Sequence, residues 1–158
     1  MREAIDRRAF LGAFGAAAGL GIAGRANALF TPTQFIMWHS PGCGCCIEWS
    51  KRMGAAIGRK IPVFETSDLK AVKRAQRVPE DLQSCHTAII NGYVVEGHVP
   101  PVDIRRLVAT GSRAVRGLAV PGMPHGTPGM DMHGGPKQPF RVIAFADNGQ
   151  RSVFSRYG

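Results

Sequence analysis

Residues 34–46 read QFIMWHSPGCGCC, an apolar run followed by a Pro-Gly turn and a group of cysteines. The run Gln34–Trp38 is short, apolar and bounded by turn residues, which predicts a buried β-strand. Cys43, Cys45 and Cys46 are three of the four cysteines in the chain. Their spacing contains a CxxC pair, typical of thiol–disulfide exchange, and a CxC pair, typical of a soft metal site.

A helix is expected to begin at these cysteines. Apolar residues recur after Cys43 at broadly helical spacing, and Gly58 is a typical helix stop. The thiols then lie on the first turn of the helix. Free N–H groups and the positive end of the helix dipole favour thiolates there.

The remaining chain predicts an α/β fold. Two more helices and three more strands are expected, and the Asn91-Gly92 dipeptide is a strong hairpin signal. These elements are a strand Ile61–Thr66, a helix Leu69–Gln76 capped by Asp68, strands Thr87–Ile90 and Tyr93–Glu96, and a helix Pro101–Val108. The order β-α-β-α-β-β-α, with thiols after the first strand, is that of a thioredoxin-like fold.

The C-terminal third changes character. Residues 111–139 include a loop rich in Gly, Pro, Met and His, over Val120–His133, with no periodicity. Two strands around Asp147-Asn148-Gly149, over Phe140–Ala146 and Ser152–Tyr157, predict a closing β-hairpin.

The fourth cysteine, Cys85, precedes His86-Thr87 at the start of the third strand. In the thioredoxin fold a Pro-Thr pair holds this place and faces the CxxC motif. We therefore expect Cys85 to lie beside the other three cysteines.

Composition bounds the function. A length of 158 residues favours one domain, and the formal net charge is +9. The basic residues are scattered and lack interleaved aromatic residues, which argues against nucleic-acid binding. A solvated basic surface explains the charge.

The N-terminus predicts export. Arg7-Arg8-Ala9-Phe10-Leu11 matches a twin-arginine signal, an apolar run follows, and Ala26-Asn27-Ala28 is a small-residue cleavage site. Residues 1–28 are thus expected to be a signal peptide and residues 29–158 the mature domain. The protein would be periplasmic and meet the membrane only during export, and its thiols would be paired, metal-bound or redox-active.

The cysteines favour Cu(I), a soft ion that prefers thiolates and then thioethers and imidazoles. Four thiolates and four Cu(I) ions would form a neutral cluster, which lowers the cost of burial. The predicted ligands are Cys43, Cys45, Cys46 and Cys85, with Met123, His86, Met130 and His125 as tentative additions. A packed methionine or a solvated histidine is the alternative for each loop residue.

Other functions remain open. Cys43 and Cys46 could act as a thiol–disulfide oxidoreductase pair, although a third thiol lies between them. A structural zinc site fits poorly, because zinc sites favour two separated ligand pairs. The sequence assigns no catalytic residue. It favours a structural role for His98, which ends a strand, and leaves His39 as a support for the metal ligands.

Four motifs together resemble one family. They are SPGCGCC at 40–46, SCHT at 84–87, EGHVP at 96–100, and PGMP at 121–124 with PGM at 128–130. Over roughly Phe35–Tyr157 the chain resembles the CopG-like periplasmic copper-binding proteins. The resemblance implies a thioredoxin-like fold, a Cu(I) cluster held by the four cysteines, and a role in copper resistance or homeostasis. Its partners would be copper ions and other periplasmic copper-handling proteins.

Overall fold

The computed structural model describes residues 35–131 and 134–158. The predicted signal peptide and the loop residues Met132 and His133 lie outside the described residues. Among the helices of the described residues, none is long and apolar enough to cross a bilayer.

The first half of the chain follows the predicted order. The elements are β1 Phe35–His39, α1 Gly44–Ile57, β2 Val63–Glu65, α2 Leu69–Ala75, a short 3-10 helix Glu80–Leu82, β3 His86–Ile90, β4 Tyr93–Glu96, α3 Pro101–Thr110, β5 Gly117–Ala119, β6 Phe140–Phe145 and β7 Arg151–Tyr157. The first seven strands and α-helices read β-α-β-α-β-β-α, as the sequence predicts.

Local chemistry explains the element ends. Gly58 ends α1 with a left-handed backbone at φ 70°. The Asp68 carboxylate accepts a hydrogen bond from the Ala71 N–H at 2.9 Å and caps α2. Asn91 and Gly92 have φ of 51° and 86°, as a type I′ hairpin turn requires.

The strand β5 was not predicted from the sequence, which assigns no element between Val108 and Phe140. Gly117–Ala119 pairs parallel with β4 and antiparallel with β6. This short strand has no β-branched or aromatic residue, so its own sequence carries little signal. Its neighbours on both sides supply the pairing that makes it a strand.

The strands form one mixed sheet in the order β2-β1-β3-β4-β5-β6-β7. Helices α1 and α3 cover one face, where Met37, Val95 and Leu118 join the main core. The opposite face carries a smaller core around Ile89 and Val94. Because β3 lies next to β1, the start of β3 meets the start of α1.

Candidate metal site

The four cysteines meet at the junction of α1 and β3. Cys43, Cys45 and Cys46 lie at the start of α1, and Cys85 directly precedes β3. All four sulfur atoms lie within 4.8 Å of one another. Cys46 Sγ also lies 3.8 Å from the Cys85 carbonyl oxygen, across 39 positions of sequence. The fold brings together the four cysteines that the sequence predicts as ligands.

Two of these cysteines are covalently joined. Cys43 and Cys46 form a disulfide, with their Cα atoms 5.4 Å apart. Cys45 and Cys85 are free thiols and are half-buried. Cys45 Sγ lies 3.5 Å from Cys43 Sγ. The structure therefore presents the oxidised form of the CxxC pair with two free thiols beside it.

His98 belongs to this site, although the sequence analysis favoured a structural role for it. Its side chain is fully buried, and its Nε2 lies 2.9 Å from Cys85 Sγ. The hairpin register explains the contact, because Ile90 pairs with Tyr93 and Thr87 with Glu96. Continued by two residues, that register places Cys85 opposite His98. The Asn91-Gly92 turn sets this register, so the sequence contains the signal from which the position of His98 opposite Cys85 could have been predicted.

The hydrogen bonds of His98 fix its tautomer. Nδ1 lies 2.7 Å from the Pro128 carbonyl oxygen, which can only accept, so Nδ1 carries the proton. Nε2 then presents a lone pair to the Cys85 thiol. Burial lowers the pKa of His98 and keeps the ring neutral, against the opposing effects of the Pro128 carbonyl and Asp131. A histidine that donates one N–H to a carbonyl and aims the other nitrogen at a thiol has the usual orientation of a metal ligand.

His86 lies on the other side of Cys85. Its Nδ1 is 3.5 Å from Cys85 Sγ, and its Nε2 has no hydrogen-bond partner among the described residues although the side chain is 0% exposed. The ring packs against Trp49 and His98, with centroids 4.4 and 5.0 Å away. Burial lowers the pKa of His86, so it is neutral at neutral pH. A second group of side chains that could share an ion is Cys46, Cys85, His86 and His98.

The Cys85 thiol is protonated at neutral pH. Burial, and then the nearby Cys45, raise the pKa of the Cys85 thiol to about 12. A metal binds the thiolate, so metal binding at Cys85 must displace a proton.

The loop that follows β5 closes over the start of α1. Gly129 has φ 90°, and a Cβ placed there would lie 2.6 Å from the Cys45 carbonyl oxygen. Only glycine fits this backbone and this approach, which also brings the Pro128 carbonyl to His98. Asp131 then forms an ion pair with Arg52 of α1 at 2.6 Å.

The loop residues predicted as tentative ligands occupy different places. Met123 is 51% exposed, whereas Met130 is buried. His125 is half-buried, and within residues 35–131 and 134–158 its Nδ1 has no hydrogen-bond partner. In the part of the chain that the structure describes, neither His125 nor His39 belongs to a group of His, Cys and acidic side chains that could share an ion. His39 is buried and donates from Nδ1 to the Ser40 carbonyl.

A buried ion pair supports the site from behind. Lys73, 4% exposed, donates to Glu96 and, at 3.2 Å, to Thr87 Oγ1. Glu96 also accepts from the Ser84 N–H at 2.6 Å and from the Thr87 hydroxyl at 2.7 Å. Because Ser84 directly precedes Cys85, this carboxylate fixes the backbone that carries the thiol.

Gly97 allows the same segment to pack closely. It has φ 70°, and a Cβ there would lie 2.5 Å from Ser84 Oγ and 2.7 Å from the Val120 carbonyl oxygen. The Ser84 hydroxyl donates to the Gly122 carbonyl, which ties the PGMP motif to the Cys85 backbone. The four sequence motifs therefore meet around one group of sulfur and nitrogen donors, which suits a soft metal ion.

Comparisons with known proteins give this site a family. A solved structure of "Copper resistance protein copG", form 1, is 40% identical, with a TM-score of 0.71; the match covers 77% of this chain and 94% of that one. Form 2 is 39% identical, with the same TM-score and coverage of 78% and 96%. The chain belongs to the CopG family.

The other comparisons are consistent with that membership. Residues 82–130 match the profile of a family described as "Protein of unknown function, DUF411". This segment contains Cys85, His98 and Gly129, but not the cysteines of α1. No curated protein sequence matches the chain.

Proposed function

We propose that this CopG family member binds several Cu(I) ions in a thiolate cluster and acts in copper resistance or homeostasis. The cluster would use Cys43, Cys45, Cys46 and Cys85, with His98 as an added nitrogen donor. Copper is the cargo of the protein in this proposal. The relatives that support it are named as copper resistance proteins.

One observation carries the proposal: the four sulfur atoms lie within 4.8 Å of one another. Thiolates can bridge ions, so four of them at this separation can hold more ions than one. Four thiolates and four Cu(I) ions leave no net charge, which lessens the desolvation penalty of a half-buried site. The first turn of α1 contains no acidic residue, so its dipole favours the thiolates without opposition.

We also propose that the fold is thioredoxin-like and that the protein works in the periplasm. The parallel pairing of β1 with β2, the antiparallel β3 between β1 and β4, and thiols at the β1–α1 junction support the fold. The twin-arginine pattern supports cleavage after residue 28 and export of the folded mature domain, 29–158. Other copper-handling proteins of that compartment would deliver or receive the ion.

The test is an anaerobic Cu(I) titration of the fully reduced full chain against a chromophoric Cu(I) chelator. Metal analysis and alkylation of free thiols follow at saturation. We expect several copper ions per chain and protection of all four thiols. Saturation at or below one ion, with thiols that alkylate freely, would refute the cluster.

A thiol–disulfide oxidoreductase is the second candidate, because Cys43 and Cys46 are joined at the start of a helix. A Cys85→Ser variant separates the two functions, since it leaves the CxxC pair intact. The copper function predicts a lower copper count in this variant with unchanged disulfide exchange. An unchanged copper count would remove Cys85 from the ligands.

A further inference from the structure

The oxidised form of the site keeps an unused set of donors. A disulfide sulfur lacks the charge of a thiolate, and the thiolate is the form that binds metals. With Cys43 and Cys46 joined, the two remaining thiols are Cys45 and Cys85. The question is whether these two can still hold an ion without the other pair.

The distance between the two free sulfur atoms allows them to bind one ion together. Two thiolates that share one ion, with metal–sulfur bonds of about 2.3 Å, lie at most about 4.6 Å apart. Cys45 Sγ and Cys85 Sγ lie within 4.8 Å of each other. A small side-chain rotation therefore suffices to place one ion between them.

A third donor is already aimed at the same place. His98 Nε2 lies 2.9 Å from Cys85 Sγ, and its lone pair faces the thiol because Nδ1 donates to Pro128. The thiol proton occupies the position of an ion that both atoms could bind. Replacing that proton by a larger ion would move the two side chains slightly apart. The same Pro128-Gly129 segment packs on the Cys45 backbone, so one loop orients the histidine and contacts the residue that carries the other thiol.

Selectivity follows from the donor type. Two thiolates and one imidazole form a three-coordinate soft site, which favours Cu(I) over harder ions. The fully buried ring of His86 lies beside Cys85, so it would shield that side of the ion from water. In this state the site has room for one ion, since only two thiolates are available to bridge.

We propose that the disulfide form of the protein retains a single-Cu(I) site made of Cys45, Cys85 and His98, and that the Cys43–Cys46 disulfide sets the copper capacity. A dithiol reductant would supply two electrons and two protons, break the Cys43–Cys46 bond, and become a disulfide itself. The released thiols would then raise the capacity from one ion to several. This inference rests on the proposed copper-binding function.

The experiment titrates the full chain anaerobically with Cu(I) in its disulfide and reduced forms, against bathocuproine disulfonate. Peptide mapping before and after the titration verifies the Cys43–Cys46 bond. The disulfide form should bind one Cu(I), and X-ray absorption should report two sulfur ligands and one nitrogen ligand. The reduced form should bind several ions.

Variants assign the donors. Cys45→Ser and His98→Gln should each lower the affinity of the disulfide form at least about tenfold, as losses around a metal site commonly do. His39→Gln is the matched control, because His39 is also buried and donates from Nδ1 to a backbone carbonyl at 2.7 Å. A Cys43→Ser/Cys46→Ser double variant cannot form the disulfide and should still bind one Cu(I).

The outcomes separate this inference from the proposed function. A disulfide form that binds no copper, or that loses its disulfide when copper is added, overturns the inference and leaves the cluster of the reduced form intact. A reduced form that binds only one ion, beside a disulfide form that also binds one, refutes the cluster and the control of capacity by the disulfide, and supports only the three-donor site.

Discussion

The cysteine–histidine site and the Lys73–Glu96 ion pair are two buried polar regions joined by the dipeptide Ser84-Cys85. In the ion pair, the donors and acceptors match. Lys73 and Thr87 donate to Glu96, and the Ser84 N–H completes the shell of the carboxylate. Burial raises the pKa of Glu96, and these partners oppose that rise. A polar region matched in this way stabilises a fold and has no capacity for a ligand.

In the cysteine–histidine site the hydrogen-bond donors and acceptors are not fully paired. Two free thiols and two neutral imidazoles meet at this site. In the described structure His86 Nε2 has no hydrogen-bond partner. A buried polar atom without a hydrogen-bond partner is costly unless another group or an ion satisfies it. The comparison teaches that the ion pair is satisfied within the fold, whereas the adjacent site has donor groups that could still bind an ion. Substitutions in the ion pair should lower the free energy of unfolding, and substitutions in the cysteine–histidine site should lower the amount of copper bound.

The largest expected effect is on stability, at Glu96→Gln. The change leaves the Lys73 ammonium buried without its counter-ion while the amide oxygen can still accept from Ser84. We expect a loss of about 3–5 kcal/mol in the free energy of unfolding, measured with urea. Glu65→Gln, at an exposed glutamate of β2, is the control and should change stability little. A small loss at Glu96 would show that the pair is not structural.

Cys85→Ser should produce the converse result. The serine hydroxyl can still donate to His98, so we expect a loss of no more than about 1.5 kcal/mol in unfolding free energy. Copper bound by the reduced chain should fall clearly in the same metal analysis. A variant that unfolds easily and binds copper normally would reverse the comparison.

Gly129→Ala tests the loop that joins the site to α1. The new Cβ would meet the Cys45 carbonyl, and the positive φ would be strained, at a cost of about 1–3 kcal/mol. We expect Cu(I) affinity to fall as well, because Pro128 would no longer hold His98. The control is Gly149→Ala, since Gly149 also has positive φ but open space around it. Equal copper affinity in both variants would separate the loop from the site.

The pH dependence of stability should identify Cys85 in the metal-free disulfide form. Its pKa is about 12 in the folded chain, against an ordinary value of 9.0. The folded state therefore holds more protons between these values, and its stability should fall as pH rises from about 9 to 12. Below pH 9 the contribution is fully present. Urea unfolding across this range should show a shallower fall in Cys85→Ser, and parallel curves would contradict the assignment.

The smallest effect is expected at Asp131→Asn. This carboxylate pairs with Arg52 at the surface, which raises the pKa of Arg52 and lowers that of Asp131. Exposed pairs contribute about 0.2–1 kcal/mol. We expect a stability change in this range by urea unfolding and an unchanged copper count. A changed count would mean that the loop depends on this ion pair.

Part of the site could be predicted because it is local. The CxCC spacing places three thiols at a strand–helix junction, and the Asn91-Gly92 turn fixes a register that sets Cys85 opposite His98. Turn chemistry and strand period depend on adjacent residues, so they are visible in the sequence. The position of His98 beside Cys85 was missed because the register was not continued past the predicted strand.

The sequence by itself determined the order of the first seven strands and α-helices and the local placement of the thiols and the hairpin. Only the tertiary structure decided which distant groups meet. It turned the Pro128 carbonyl to His98, brought Gly129 onto the Cys45 backbone, and buried Lys73, a residue type that is almost always exposed. These contacts depend on strand order and loop closure over many residues, and no short window of sequence contains them.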